Sequence, residues 1–289
     1  KLTAKFSKDI IKIKDMIIQV VIKMSKAVNV FLPMRAGSQR VPNKNTKSFG
    51  GIDGGLCSIK LEQLLKCRLI DSIFVSTNDP KVMDICNRFN SQKIKIIERP
   101  EELASSATST DDLIKYVPAV MPDGHILWTH VTSPFITPDI YDQIIGTYLS
   151  NIEYNDSLMT VTKLQKFIWN NTAPINYNHS VEKWPRTQTL EPLWEVNSGA
   201  FLTTREIYLK HTDRIGSRPY LYQLNAEISF DIDWLPDFNM AEAMFQTTKN
   251  RNSKVITDSH LQYQGKTQDH PPPPLPPEGL LRQSHHQHL

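Results

Sequence analysis

Two groups of residues in this 289-residue chain have the types and spacing of reaction chemistry. The first is a loop that gathers Arg35, Gly37, Ser38, Arg40, Lys44 and Lys47 directly after the apolar run Val28, Val30, Phe31, Leu32 and Pro33. Guanidinium and ammonium groups neutralise phosphate oxygens, and a glycine lets backbone N–H groups approach them, so the loop suits a triphosphate. It contains neither G-x-x-x-x-G-K-[ST] nor G-x-G-x-x-G, which sets aside a Walker A loop and a dinucleotide fingerprint. A solvated basic surface loop has the same composition. The position after the first strand favours the phosphate reading, because ligands of open α/β sheets lie at the carboxyl ends of strands. The second group is Asp231 and Asp233 in Ser229-Phe-Asp-Ile-Asp-Trp. Two apart in a segment that reads as extended, they share a face. Convergent carboxylates are hard oxygen ligands for Mg²⁺, which keeps waters and also takes substrate phosphates. Aspartate pairs are common in surface turns, but set against the cation loop this pair is complementary, and together they point to nucleotidyl or phosphoryl transfer.

These residues need a scaffold, and the pattern between them supplies one. Apolar, β-rich runs recur at 28–32, 72–76, 94–97, 125–129 and 158–162, with helical stretches between. Leu56, Ile59, Leu61, Leu64 and Leu65 mark a helix over Gly55–Cys67. Asn78-Asp79-Pro80 offers an N-cap with proline in the first turn of a helix to Phe89. Ser109 or Thr110 caps a helix over Asp111–Val120, and Thr137-Pro138-Asp139 repeats the cap-plus-proline signal for one to about Leu149. Alternation at this spacing predicts an α/β fold with a doubly wound, mostly parallel sheet. Residues 163–196 break the rhythm: Phe167, Trp169, Tyr177, Trp184 and Trp194 make the segment too apolar for a plain loop. It reads as a small excursion subdomain, either a cover for the sheet or a contact with a second subunit. The pattern resumes with Gly199–Thr203, a helix from Thr204, a strand near Tyr220–Leu224 and a final helix after Pro236.

Composition bounds the partners. The hydrophobic content of 39% supports a sizeable core. The net charge of +3 misleads: residues 1–27 hold seven lysines against two aspartates, while the body at 28–250 is mildly acidic. That argues against nucleic-acid binding, which wants a broad basic face. No apolar run is long enough to span a bilayer. Three cysteines, Cys57, Cys67 and Cys86, have no C-x-x-C spacing and read as buried thiols of a reduced, cytoplasmic protein. Residues 1–27 are expected to form an extension outside the fold, and 251–289 a disordered tail. The tail holds Pro-Pro-Pro-Pro-Leu-Pro-Pro and a histidine cluster, a composition that SH3 or WW domains also bind.

The ordered blocks resemble the CMP-sialic acid synthetases (acylneuraminate cytidylyltransferases). Leu32-Pro-x-Arg-x-Gly-Ser-x-Arg-x-Pro-x-Lys-Asn45 is similar to their signature loop. Val75-Ser-Thr-Asn-Asp79, Glu98-Arg-Pro-Glu-Glu-Leu-Ala104, Thr132-Ser-Pro-Phe135, Arg186-x-Gln188 with Asn197, and Phe230-Asp-Ile-Asp233 follow in the family's order, covering about 28–245. The resemblance implies the sheet of the nucleotide-diphospho-sugar transferases and a reaction of CTP with an acidic 2-keto sugar, giving a CMP-sugar and pyrophosphate. It implies that Arg35, Ser38 and Lys44 contact the CTP phosphates, with Gly37, Arg40 and Asn45 completing the nucleotide loop. It implies that Asp231 and Asp233 hold Mg²⁺, and that Arg35, Lys44 and these two aspartates carry the chemistry. Arg186, Gln188, Asn197, Lys163 (or Lys166), Thr132 and Ser133 fall on the sugar side. A homodimer is implied too, with 163–196 as the contact.

The chain departs from that pattern at the sugar side. His130-Val131 stands where the family has Gln-Pro before Thr-Ser-Pro, so His130 is either a replacement reader of the substrate or a packed strand-end histidine. Asn197 is followed by Ser-Gly where the family has Gly. Arg40 is shared with the 3-deoxy-octulosonate relatives. Such a transferase, and a non-catalytic nucleotide- or sugar-binding homologue, are the alternatives; a pure binder has no evident need of the aspartate pair.

Overall fold

The computed structural model describes residues 27–248, so the Pro/His tail and all but the last residue of the Lys-rich extension lie outside the described residues. Apart from Thr247 and Thr248, the described chain belongs to one compact unit ending at Gln246. Seven strands make one sheet: β1 (Val28–Pro33), β2 (Ser72–Thr77), β3 (Ile94–Glu98), β4 (His125–Thr129), β5 (Ser157–Leu164), β6 (Leu193–Thr204) and β7 (Pro219–Leu224). Their order is β3-β2-β1-β4-β6-β5-β7. All pairs are parallel except those of β6, which runs antiparallel to both β4 and β5.

Helices α1 (Gly55–Lys66), α2 (Pro80–Arg88), α3 (Thr110–Val120), α4 (Pro138–Asn151) and α5 (Arg205–His211) connect the strands, and a closing helix, α6, begins at residue 235. They divide between the two faces. Leu61 and Leu64 of α1, Val82 of α2, Ile144 and Tyr148 of α4, and Phe238 of α6 pack with Val30 and Leu32 on one side. Ile114 and Val117 of α3 and Tyr208 of α5 pack with Phe31 and Trp128 on the other. Val28, Val30 and Leu32 of β1 therefore enter one core and Phe31 the other, which is why the strand carries apolar residues on both faces, with Asn29 its one buried polar position. The sheet is the doubly wound, mostly parallel one that the pattern predicts.

Local signals set most boundaries. The Asp79 side chain accepts from the Lys81 N–H at 2.9 Å, with Pro80 at the first position of α2. Ser109 and Asp112 form a reciprocal capping box at α3. Helix α4 does begin at Pro138, but Thr137 makes no side-chain cap bond. The excursion is shorter than 163–196, because β5 continues to Leu164 and β6 already begins at Leu193. A register shift between Met159 and Val161 marks a bulge where these two strands pair.

Strand order reverses at β1. Its neighbours β2 and β4 lead the chain away in opposite directions, and the crevice that opens there lies between the loop after β1 and the turn after β4.

Candidate active site

The loop after β1 is built to hold its cations in the crevice. The Met34 N–H reaches the Ser76 carbonyl at 2.9 Å, and the Ala36 N–H reaches Asn78 Oδ1 at 2.9 Å, so the end of β2 anchors the loop's start. Gly37 sits at φ +74° with open space around it, where a side chain would strain the backbone. Asn45 locks the return: its Nδ2 donates to the Arg35 carbonyl at 3.1 Å, and its own carbonyl accepts from the Cys57 N–H at 2.8 Å. Gly55 (φ +51°) opens α1 because a methyl there would collide with the Lys47 carbonyl. The loop is thereby seated on the helix.

A cavity of about 420 Å³ results, lined by Arg35, Ser38, Arg40, Lys44, Asn45, His130 and Thr132 together with Met34, Gln39, Val131 and Ser106. Gly37 shapes the loop without lining the cavity. Ser106 and Gln39 carry no motif signal; Ser106 arrives from the stretch between Ala104 and α3. The Arg99 guanidinium, from the Glu98-Arg-Pro block, is buried and donates to Ser76 Oγ at 3.1 Å and the Ser76 carbonyl at 2.9 Å. Burial pushes it down to about 10.

The aspartate pair adjoins this cavity. Residues 231–233 lie outside the sheet, in irregular backbone before α6, not in the extended strand that their spacing suggested. The Ile232 N–H reaches the Thr132 carbonyl at 3.0 Å, and the Ile232 carbonyl accepts from Lys44 Nζ at 2.8 Å. Asp233 pairs with Arg40 at 3.0 Å, and that guanidinium lies 4.6 Å from the centre of the Trp234 ring. Asp231 is hydrogen-bonded by Thr132, while its Oδ1 is buried without a partner. Burial is the main cause that raises the Asp231 carboxyl, with Asp233 adding to it. Burial also lowers the Lys44 ammonium, against the pull of Asp233 and Asp231. Cations and carboxylates are thus interleaved: Lys44 and Arg40 line the first cavity and touch the 231–233 segment that lines the second.

That second cavity, about 450 Å³, is lined by Asp231, Asp233, Asn197, Ser198, Thr162, Ser229, Phe230 and Glu195 among others. Both aspartates line this cavity, and Asp231 keeps a buried oxygen without a partner, a donor set of hard oxygens that fits a divalent cation. Among the described residues no group of three or more His, Cys, Asp and Glu gathers for a metal. Two protein carboxylates leave the remaining positions to water and phosphate, as Mg²⁺ prefers.

The sugar-side residues separate into three groups. Asn197 lines the second cavity, but its amide is engaged: Oδ1 accepts from Thr160 Oγ1 at 2.7 Å and Nδ2 donates to Thr162 Oγ1 at 3.0 Å. Those bonds support Ser198, held at φ +57°. The extra residue in Asn-Ser-Gly is thus accommodated in a left-handed position. His130 and Thr132 line the first cavity, and Ser133 is buried behind it with an unpartnered hydroxyl. His130 Nε2 accepts from the Trp128 indole N–H at 3.0 Å, which leaves the ring proton on Nδ1. Burial first, then Arg214, Lys44, Lys60 and Arg99, pushes His130 down to about 3, so it is neutral in ordinary buffer. It is a packed strand-end histidine that also faces the cavity. Arg186 and Gln188 flank and occupy an exposed turn (Thr187–Thr189) of the excursion and line neither cavity. Lys163 is exposed and, one residue from Thr162, points to the opposite face of β5.

Comparison with known proteins bears on the family and the fold. A family model described as cytidylyltransferase matches residues 30–263. An N-acylneuraminate cytidylyltransferase of Streptococcus agalactiae serotype III (strain NEM316) is 26% identical over 215 residues, covering 72% of this chain and 50% of that protein. The chain thus spans about half the length of the first curated relatives it matches. A pseudaminic acid cytidylyltransferase of Campylobacter jejuni subsp. jejuni serotype O:2 is 20% identical over 226 residues, covering 74% of this chain and 94% of that one. Among solved structures, a CMP:2-keto-3-deoxy-manno-octonic acid synthetase complexed with CTP superposes with a TM-score of 0.56. It has 14% identity and covers 77% of this chain and 99% of that one.

Proposed function

Since this chain belongs to the cytidylyltransferase family, we propose that it joins CTP to an acidic 2-keto sugar of the nonulosonic type, giving a CMP-sugar and pyrophosphate. The observation that supports the reading is the bond from Lys44 Nζ to the Ile232 carbonyl between Asp231 and Asp233, which sets a loop cation beside the aspartate pair.

Arg35, Ser38, Arg40 and Lys44 bind the triphosphate in the first cavity, and Gly37 and Asn45 keep the loop in shape. The anomeric hydroxyl of the sugar attacks the α-phosphorus, its oxygen–phosphorus bond forms, and the bond to the leaving pyrophosphate breaks. Arg35 and Lys44 stabilise the charge that develops on that leaving group. Asp231 and Asp233 would hold Mg²⁺, which when bound would polarise the phosphate and ease loss of the hydroxyl proton to water. Neutral His130 donates its Nδ1–H to an oxygen of the substrate, with Thr132 beside it.

Two further parts of the reading concern the whole protein. It works as a homodimer through the excursion, whose Phe167, Trp169, Tyr177, His179 and Trp184 rings touch one another while Trp184 is 68% exposed. It works in a reducing, cytoplasmic setting, in keeping with three free, buried cysteines; among the described residues no helix is long and apolar enough to cross a membrane.

The test is pyrophosphate release from the full chain incubated with CTP, Mg²⁺ and a panel of sialic, legionaminic, pseudaminic and 3-deoxy-octulosonic acids. Turnover with a nine-carbon acid supports the reading. Turnover with 3-deoxy-octulosonate alone moves the acceptor to the alternative, and CTP binding without turnover on any acid contradicts the enzyme.

A further inference from the structure

Lys60 lies fully buried on α1, and no carboxylate among the described residues forms an ion pair with it. A buried ammonium without a counter-ion is costly, so its hydrogen bonds decide what it does. Its Nζ donates to the Ser133 carbonyl at 2.7 Å and to the Tyr141 hydroxyl at 2.8 Å. Three residues on along the same helix face, Gln63 Nε2 donates to the Pro134 carbonyl at 2.7 Å. The Ile232 N–H takes the Thr132 carbonyl. Three successive carbonyls of the turn after β4 are therefore held, two by α1 and one by the aspartate segment. The Thr132 hydroxyl completes the path by bonding Asp231.

A second arm starts from the same ammonium. The Tyr141 hydroxyl bonds Thr129 Oγ1 at 2.7 Å, and Thr129 donates to the Gly199 carbonyl at 2.7 Å. Gly199 follows Asn197 and Ser198, which line the second cavity. Lys60 thus sits at the junction of two hydrogen-bonded arms, one reaching Asp231 through the turn that carries Thr132 and the other reaching Gly199 beside Asn197 and Ser198.

We propose that Lys60, assisted by Gln63, is a positioning residue that clamps the Thr132–Pro134 turn and through Thr132 sets the Asp231 carboxylate for the metal and the nucleotide. This rests on the proposed metal role of Asp231 for its binding consequence and on the cytidylyltransferase reading for its kinetic one. Thr132, which bonds Asp231, is the group one bond removed from the carboxylate, where replacement typically changes metal affinity or activity by about 10–100-fold; Lys60 and Gln63 act one step farther out, through the turn that carries Thr132.

The experiment compares full-chain Lys60→Met and Gln63→Met with the wild type. Free Mn²⁺ is followed by electron paramagnetic resonance in the presence of CTP, and pyrophosphate release is followed separately. The clamp predicts Mn²⁺ affinity weakened by up to about 10-fold, the low end of that range, in Lys60→Met and less in Gln63→Met. It also predicts that kcat falls while the KM for CTP stays within about threefold. Wild-type Mn²⁺ affinity in both folded variants overturns the clamp, as does a rise in the CTP KM as large as the fall in kcat. Should Lys60→Met fail to fold, Gln63→Met decides by the same criteria. Should the wild type release no pyrophosphate with any acid, the functional reading fails while the Mn²⁺ arm still decides the clamp.

Discussion

At the residue scale the site is a set of cations and carboxylates that partly neutralise one another before any substrate arrives. Arg40 covers Asp233, Lys44 lies against Ile232 between the two aspartates, and Asp231 keeps one oxygen unspent. The exposed Arg40–Asp233 pair is worth little to stability; in the proposed reaction it keeps the guanidinium beside a carboxylate that would hold the metal. Lys60 is the residue whose protonation has the largest reach. Burial pushes its ammonium down to about 7 from the usual lysine value of 10.5. Below that, folded and unfolded chains both carry the proton. Between about 7 and 10.5 only the unfolded chain does, so folding stability rises with pH across this window, by at most about 1.4 kcal/mol per pH unit for one proton. Urea titrations at pH 7, 8 and 9 are expected to show the rise in the wild type and to lose about one proton's worth of slope in Lys60→Met. Parallel slopes in the two proteins would contradict a displaced Lys60 ionisation.

At the element scale the loop after β1 depends on how α1 begins. Gly54 and Gly55 carry positive φ, and Gly55 has the Lys47 carbonyl where a methyl would go. Gly55→Ala is expected to lose about 1–3 kcal/mol in urea unfolding, from backbone strain plus displacement of the Lys47 segment. It is also expected to weaken CTP binding, because the same segment carries Lys44 and Asn45; unchanged stability would show that the loop relaxes freely. Much at this scale was legible in the chain. Strand positions, the Asp79 and Ser109 caps and the helix at Pro138 follow from local apolar spacing and cap chemistry. The long antiparallel β6 was not, since its Trp194-Glu-Val196 start sits in a segment whose aromatics suggested an excursion, and strand direction is decided by pairing. That the cations of the loop after β1 gather at one cavity was legible because they lie within one stretch. Lys60 and Gln63 were not, because they look like ordinary polar positions of an amphipathic helix until the turn after β4 is placed against them. Ser106 and the retirement of the Asn197 amide into the β5–β6 bulge depend likewise on tertiary placement.

At the scale of the whole molecule, the doubly wound sheet reverses order at β1, and the site occupies the crevice that this reversal creates. The excursion between β5 and β6 stands apart with its own aromatic contacts, and it carries Arg186 and Gln188 away from both cavities of its own chain. Trp169 and Trp184, both exposed and packed on Phe167, Tyr177 and His179, make a surface suited to a second copy. Sedimentation velocity is expected to show a dimer for the wild type and a shift toward monomer for a Trp169→Ser, Trp184→Ser double variant. A wild type that sediments as a monomer at micromolar concentration would remove the dimer from the account.

The account as a whole depends on a division of labour in which loop cations hold CTP and the aspartates serve the chemical step. Asp231→Asn measures it most directly, with CTP affinity by calorimetry beside the rate of pyrophosphate release at saturating CTP, Mg²⁺ and acceptor sugar. The substitution keeps the shape and removes the charge that a metal needs. The expected result is a rate lower by about 100-fold or more, since metal polarisation is worth several kcal/mol in the transition state, with CTP affinity within about fivefold of wild type. Equal losses of binding and turnover, or a rate left near wild type, would contradict the role given to Asp231.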